Sequence, residues 1–198
     1  MASGRCEQNQ STRCTKGRAQ MTQTSSFVLW LTGLPASGKT TLAERLAEAL
    51  RARGRTVQVL DSDALRSVLT PEPSYSQEER DWFYRVVAFI GGLLAENGVD
   101  AIVAATANRR RHRDYAREET KRFAEVYIKC SLETCIARDK KGIYEKAFSG
   151  EATTVPGVQA PYEPPQDPLV VLDTESTSPR RGVREMLSKL EEISYLDY

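Results

Sequence analysis

Gly33-Leu34-Pro35-Ala36-Ser37-Gly38-Lys39-Thr40 matches G-x-x-x-x-G-K-[ST] without a mismatch. Glycines at both ends let a backbone turn wrap its N–H groups around a phosphate chain, and a following helix adds its positive end. In such a loop the lysine, here Lys39, reaches the β- and γ-phosphates, and a hydroxyl such as that of Thr40 ligates Mg²⁺. Thr41 continues the same turn. The pattern points to nucleotide binding. Lys39 reads as a solvent-facing charge.

A second group is Asp61-Ser-Asp63 with Arg66. In a parallel sheet the strand C-termini converge on the ligand crevice, so a strand ending at Asp61 aims both carboxylates at the γ-phosphate. One could order Mg²⁺ and its waters, and the other could accept the proton of an attacking hydroxyl. Arg66, one turn further on, suits an anionic acceptor. The bland alternative makes Asp63 a helix cap. No N-K-x-D guanine-reading sequence occurs, which favours a kinase over a GTPase.

Two basic clusters remain. Arg138-Asp-Lys-Lys141 through Lys146 precedes a proline-rich stretch. It suits a lid closing over phosphates, or equally a solvated helix end. Arg109-Arg-Arg-His112-Arg113 lacks interleaved aromatics, which weighs against nucleic acid. Its place after a strand suits an acceptor-site mouth or a solvated helix start. His112 is the one histidine of the sequence, and no catalytic role falls to it.

The elements that must hold these groups alternate between apolar runs and amphipathic helices. Strands are predicted at Phe27–Leu31, Thr56–Leu60, Val99–Ala105, Ala124–Lys129 and Leu169–Leu172, each short and bounded by turn residues. Leu42, Leu46, Ala49 and Leu50 mark a helix stopping near Gly54. Ser76 and Glu79 form a capping box opening a long helix, whose buried stripe reads Trp82, Phe83, Val86, Val87, Ile90, Leu93 and Leu94. Asn97-Gly98 stops it. An Arg-rich helical segment fills the gap before the fourth strand. Leu132–Arg138 and Pro179–Ile193 complete the helices, with a long loop at Gly150–Pro168. Such alternation predicts an α/β fold, a parallel sheet of about five strands with helices on both faces.

Size and charge narrow the classes. The chain has 198 residues, enough for one domain with a core. Its Lys and Arg total 28 against 27 Asp and Glu, which excludes a global electrostatic grip on nucleic acid or anionic lipid. The longest apolar run, Val86–Ala95, is half of the roughly 20 residues a membrane span needs. Cys6, Cys14, Cys130 and Cys135 form no C-x-x-C pair and read as free thiols of a cytoplasmic protein. Residues 1–24 are polar and aperiodic, a mobile leader in which an organelle-targeting role or a start at Met21 are alternatives. The folded domain spans residues 25–198.

These motifs together resemble those of the adenylyl-sulfate kinases. The match includes Gly33–Thr40, Leu60-Asp-Ser-Asp63 through Arg66, Ala137-Arg-Asp-Lys-Lys-Gly-Ile-Tyr144, Gly150-Glu151, Pro161-Tyr-Glu163 and Leu172-Asp-Thr174, in that family's order. The resemblance implies a P-loop NTPase-type kinase, commonly dimeric, that moves the ATP γ-phosphoryl group to the 3′-hydroxyl of adenosine 5′-phosphosulfate with Mg²⁺. It carries over Asp61 and Asp63 as the metal-ordering and acceptor-activating carboxylates, and Arg66 and Arg80 as acceptor-binding arginines. Arg138, Lys141 and Thr174 fall near the nucleotides, within or beside a lid of about 139–168. Tyr75 replaces a usual Phe and could stack on adenine.

Three stretches depart from the pattern. Phe83 stands where the family has Asn, and Ala107-Asn108 where it has Ser-Pro. Ala107 cannot carry phosphate, so no phosphoserine step is available. Thr153-Thr-Val155-Pro-Gly157 replaces Lys-Asn-Phe-Thr-Gly and loses a base-stacking aromatic at Val155. A kinase of this fold acting on another hydroxyl is therefore the alternative, and a non-catalytic nucleotide-binding protein the remote one.

Overall fold

The computed structural model describes residues 26–196; the leader, with Cys6, Cys14 and Met21, lies outside the described residues. The elements run β1 (Val28–Thr32), α1 (Lys39–Ala52), β2 (Val57–Asp61), α2 (Ser62–Leu69), α3 (Gln77–Glu96), β3 (Asp100–Ala104) and α4 (Arg110–Glu119). β4 (Phe123–Lys129), α5 (Leu132–Ala137), α6 (Ile143–Ser149), β5 (Val170–Asp173) and α7 (Pro179–Glu192) follow. All five strands pair in parallel, in the order β2-β3-β1-β4-β5. The expected α/β architecture holds.

β1 is central because its sequence is apolar on both faces. Every residue from Phe27 to Leu31 is fully buried. Leu29 and Leu31 join α1 and α7 on one side, through Leu46, Leu50, Met186 and Leu190. Val28 and Trp30 join α3 and β3 on the other, through Phe83, Tyr84 and Val87. Two cores thus clamp one sheet, and the β1, β2 and β4 C-termini open on the same edge.

The long helix α3 is rotated from the expected stripe. Tyr84, Ala88, Gly91 and Gly92 are buried, whereas Trp82 and Leu93 are each 48% exposed and Phe89 is 63% exposed. The helix lies so near β1 that a Cβ at Gly91 would touch Val28 at 3.5 Å. Small residues face the sheet for that reason. The capping box is also only half formed. Ser76 Oγ accepts from the Glu79 amide at 3.2 Å, but the Glu79 carboxylate turns instead to Ser74 and Arg66.

Beyond α5 the chain folds over the edge of the sheet. α6, which the sequence reading absorbed into the lid, sits on a small cluster of Cys130, Cys135, Tyr144, Ala147 and Val155. The loop after it is held by Gln159, whose amide bonds Ala147 O at 2.8 Å, Ala152 O at 2.9 Å and the Val155 N–H at 3.0 Å. One glutamine thus supplies backbone partners where there is no ladder to do so.

Candidate active site

The phosphate-binding loop joins β1 to α1. Gly33 is required by close approach: a Cβ there would sit 2.4 Å from Ile128 O. Gly38 caps α1 in the left-handed region at φ 100°, so no side chain blocks the amides of the first turn, where Thr40 and Thr41 are exposed. Leu34, Pro35 and Ala36 are half-buried and Ser37 is buried. Ser37 N closes the loop on Leu34 O at 3.2 Å.

Lys39 corrects the sequence reading. It is only 9% exposed, and its Nζ lies 2.7 Å from Leu34 O and 3.1 Å from Gly33 O. Burial lowers its pKa from 10.5 to about 8, against the opposing pull of Cys135, Asp63 and Asp61. A cation held beneath the loop by two carbonyls is pre-positioned for phosphate oxygens rather than for bulk water.

The carboxylate pair divides its work at the β2–α2 junction. α2 begins at Ser62, the turn that lets both side chains leave the strand end. Asp61, not Asp63, is the helix cap: its Oδ1 accepts the amides of Asp63 at 2.9 Å and Ala64 at 3.3 Å. Its Oδ2 accepts from Thr40 Oγ1 at 2.7 Å. Asp63 is thereby released from capping, and its Oδ2 meets Lys141 Nζ. That contact raises the Lys141 pKa, the hydrogen bond to Asp63 being the main cause.

Arg138 and Thr174 tie the lid's root to the same loop. Arg138 donates to Thr174 Oγ1 at 3.1 Å and Thr174 O at 3.0 Å, and Thr174 Oγ1 donates to Ser37 O at 3.1 Å. Further out, Tyr144 Oη donates to Pro35 O at 3.0 Å. Within the Arg138–Lys146 cluster, Arg138 and Lys141 are tied to the site by specific contacts, whereas Lys140 and Lys146 are exposed.

On the other flank, Arg66 is buried over Phe83, its guanidinium carbon 3.9 Å from the ring centroid. Tyr75, on a turn at φ 53°, lies within 5.0 Å of Arg66 and 5.4 Å of Arg80. Arg80 donates to Tyr75 O at 3.1 Å and to Thr154 O at 2.9 Å, so it links α3 to the lid loop. Val155 is buried in the lid cluster. Ala107 is buried at φ 40°, its amide donating to Tyr84 Oη at 3.1 Å.

Within the basic run, Arg110 and Arg111 are exposed at the start of α4, whereas His112 and Arg113 are buried. Arg113 is fully buried and donates to Glu125 at 2.8 Å and to Glu163 O at 2.8 Å. Breaking such a buried pair costs about 3–5 kcal/mol. Arg111 pairs with Asp81. His112 has a carboxylate partner: its Nε2 lies 2.8 Å from Asp81 Oδ1, while its Nδ1 accepts the Arg109 amide at 3.4 Å. Burial lowers its pKa to about 4, against the hydrogen bond it donates to Asp81, so His112 is a neutral cap for α4. Sequence distance hid these partners, which lie 12 to 50 residues away.

With this geometry in hand, the comparisons with known proteins are specific. The adenylylsulphate kinase profile matches residues 25–173, most of the chain. The chain belongs to the adenylyl-sulfate kinase family. It is 42% identical over 170 residues to a probable adenylyl-sulfate kinase of Pyrococcus abyssi, covering 86% of this chain and 98% of that one. A probable adenylyl-sulfate kinase of Aeropyrum pernix is 42% identical over 171 residues, covering 84% and 93%. Among solved structures, the Mycobacterium tuberculosis APS kinase CysC in complex with AMPPNP and APS superposes with a TM-score of 0.80. It is 32% identical and covers 84% of this chain and 98% of that chain. No helix among the described residues is long and apolar enough to cross a membrane.

Proposed function

We propose that this family member transfers the γ-phosphoryl group of ATP to the 3′-hydroxyl of adenosine 5′-phosphosulfate, giving ADP and 3′-phosphoadenosine 5′-phosphosulfate. The observation that carries this reading is one hydrogen-bonded chain: Thr40 to Asp61, Asp61 to the Asp63 amide, and Asp63 to Lys141. It joins the nucleotide loop, an exposed carboxylate and a lid cation in one place. In this reading Lys39 and the loop amides hold the β- and γ-phosphates. Asp63 accepts the proton of the attacking hydroxyl, and Arg66 and Arg80 hold the acceptor's anionic group. Because Ala107 offers no hydroxyl, transfer is direct from ATP to acceptor. Residues 139–168 act as the lid, hinged at the Arg138–Thr174 contact and excluding water on closure.

Thr40 and Asp61 place two oxygens side by side and would hold Mg²⁺ there. When bound, the ion neutralises charge on the transferred group. The buried free thiols Cys130 and Cys135 support a reducing, cytoplasmic setting. The exposed face of α3, with Trp82, Val86 and Phe89 flanked by Arg85, Glu118 and Glu119, supports a homodimer. Its mixed charges let one copy of the face oppose another.

The alternative acceptor, another hydroxyl on an anionic small molecule, draws on Phe83. A ring stacked under Arg66 takes the place of a polar contact to the acceptor. Steady-state ADP release with adenosine 5′-phosphosulfate, set against a panel of nucleosides, nucleotides and sugar phosphates, tests both. APS-dependent release is expected. Faster release with another acceptor would move the assignment to that compound.

A further inference from the structure

The acceptor flank contains a carboxylate to which no catalytic or binding role attaches. Glu79 sits in the first turn of α3 and uses both oxygens. Oε1 accepts from Arg66 Nη1 at 2.9 Å, and Oε2 accepts from the Ser74 amide at 2.5 Å and from Ser74 Oγ at 2.7 Å. Burial alone would raise its pKa. The two Ser74 bonds and the Arg66 charge outweigh that and lower it, so Glu79 is an anion at neutral pH.

The guanidinium of Arg66 is therefore constrained on several sides. Its face lies on Phe83 at 3.9 Å, and its Nη1 edge is taken by Glu79 and, at 3.4 Å, by Thr70 Oγ1. The remaining terminal nitrogen, Nη2, is buried and has no hydrogen-bond partner among the described residues. Proteins rarely leave a buried guanidinium donor unmade. Tyr75, 41% exposed on its left-handed turn, lies over the same guanidinium. The adjacent Ser74 is the residue Glu79 grips.

We infer that Glu79 is a positioning residue for the acceptor anion: it occupies Nη1, holds the Ser74–Tyr75 turn, and keeps Arg66 Nη2 free and aimed for an incoming sulfate or phosphate oxygen. It touches no substrate itself. The inference rests on the reading of Arg66 as an acceptor-binding residue. A charged partner matters here because a guanidinium has five donors in a rigid fork, and one must be engaged to orient the others. Without it the side chain rotates on Phe83, and a small misplacement of a binding group has large effects.

The test uses protein saturated with AMPPNP and Mg²⁺, so that the nucleotide loop is filled before the second ligand arrives. Binding of adenosine 5′-phosphosulfate and, separately, of inorganic sulfate is measured for wild type, Glu79→Gln, Glu79→Asp and Arg66→Ala. Glu79→Gln keeps the shape and the helix and removes the charge. It is expected to weaken both ligands between roughly ten- and a hundredfold, approaching Arg66→Ala, with AMPPNP affinity unchanged. Glu79→Asp, charged but shorter, is expected to recover part of the loss. In turnover, Glu79→Gln should raise KM for the acceptor and leave kcat near wild type. Wild-type affinity for both ligands in Glu79→Gln would overturn the inference, as would an equal loss of AMPPNP binding, which marks general damage. A wild type that binds sulfate through Arg66 but not adenosine 5′-phosphosulfate overturns the acceptor reading alone. In that case the sulfate comparison still decides the role of Glu79.

Discussion

ATP affinity is expected to depend on pH because of where the loop keeps its lysine. Lys39 is buried under two carbonyls, and burial depresses its pKa to about 8. Phosphate binding needs the charged form, so the competent fraction falls above that pH. From pH 7 to pH 9 the protonated fraction drops about tenfold, and the apparent affinity for AMPPNP with Mg²⁺ should drop by about the same factor. Binding at pH 9 must then take up a proton, which calorimetry in buffers of different ionisation enthalpy reads directly. The ligand-free protein should show the opposite trend. Unfolded, Lys39 holds its proton until about 10.5; folded, only until about 8. Between those values the unfolded chain binds more protons, so stability rises with pH, by about 3 kcal/mol at most over that window. Lys39→Met should remove both trends, and should reduce phosphoryl transfer to less than a tenth of wild type. Flat affinity from pH 7 to 9 with no proton uptake would refute the claim that this buried lysine is the phosphate's cation.

Four further outcomes follow from the structure. Asp63→Asn should lower kcat by about 10²–10⁴-fold with ATP affinity little changed, whereas normal turnover would remove Asp63 as the base. Asp61→Asn should raise the Mg²⁺ concentration needed for half-maximal rate while leaving the melting midpoint nearly unmoved, since Asn caps a helix about as well as Asp. His112 carries its proton up to about pH 6.5 when unfolded and only below about 4 when folded, so stability falls as pH drops through that window. His112→Gln should flatten this acid limb by about 1–3 kcal/mol, and an unchanged limb in a melting series would contradict the buried neutral cap. In light scattering the wild type is expected as a dimer and Phe89→Glu, on the exposed face of α3, as a monomer, and an equal mass for both would remove that face as the pairing surface.

What could be read from sequence was set by how local the physics is. The run from Gly33 to Thr40 is contiguous, so its spacing alone specified a turn, a cation and a hydroxyl. The placement of Asp61 and Asp63 beside the loop was legible because a parallel sheet dictates where a strand must end. The order of strands and the choice of cap at Asp61 depend on Thr40 and on contacts across the sheet, which spacing does not encode. The face of α3 was misread because hydrophobicity favours Trp82 and Leu93, while the helix packs Gly91 against Val28 of β1 and Gly92 against Glu119 and Thr120. The run from Arg109 to Arg113 looked like surface charge because Asp81, Glu125 and Glu163 arrive from distant segments. Glu79 was seen only as half of a capping box, a local role that hid its bond to Arg66.

The central claim is that one phosphoryl group moves from ATP to the 3′-hydroxyl of adenosine 5′-phosphosulfate. Phosphorus NMR of the product, formed by the full-length protein with Mg²⁺ and ATP carrying ¹⁸O on the γ-phosphoryl group, tests it most directly. One new 3′-monophosphate resonance is expected, shifted by all three labelled oxygens and rising in step with ADP. ADP without a phosphorylated nucleotide, or label arriving at any other position, would contradict it.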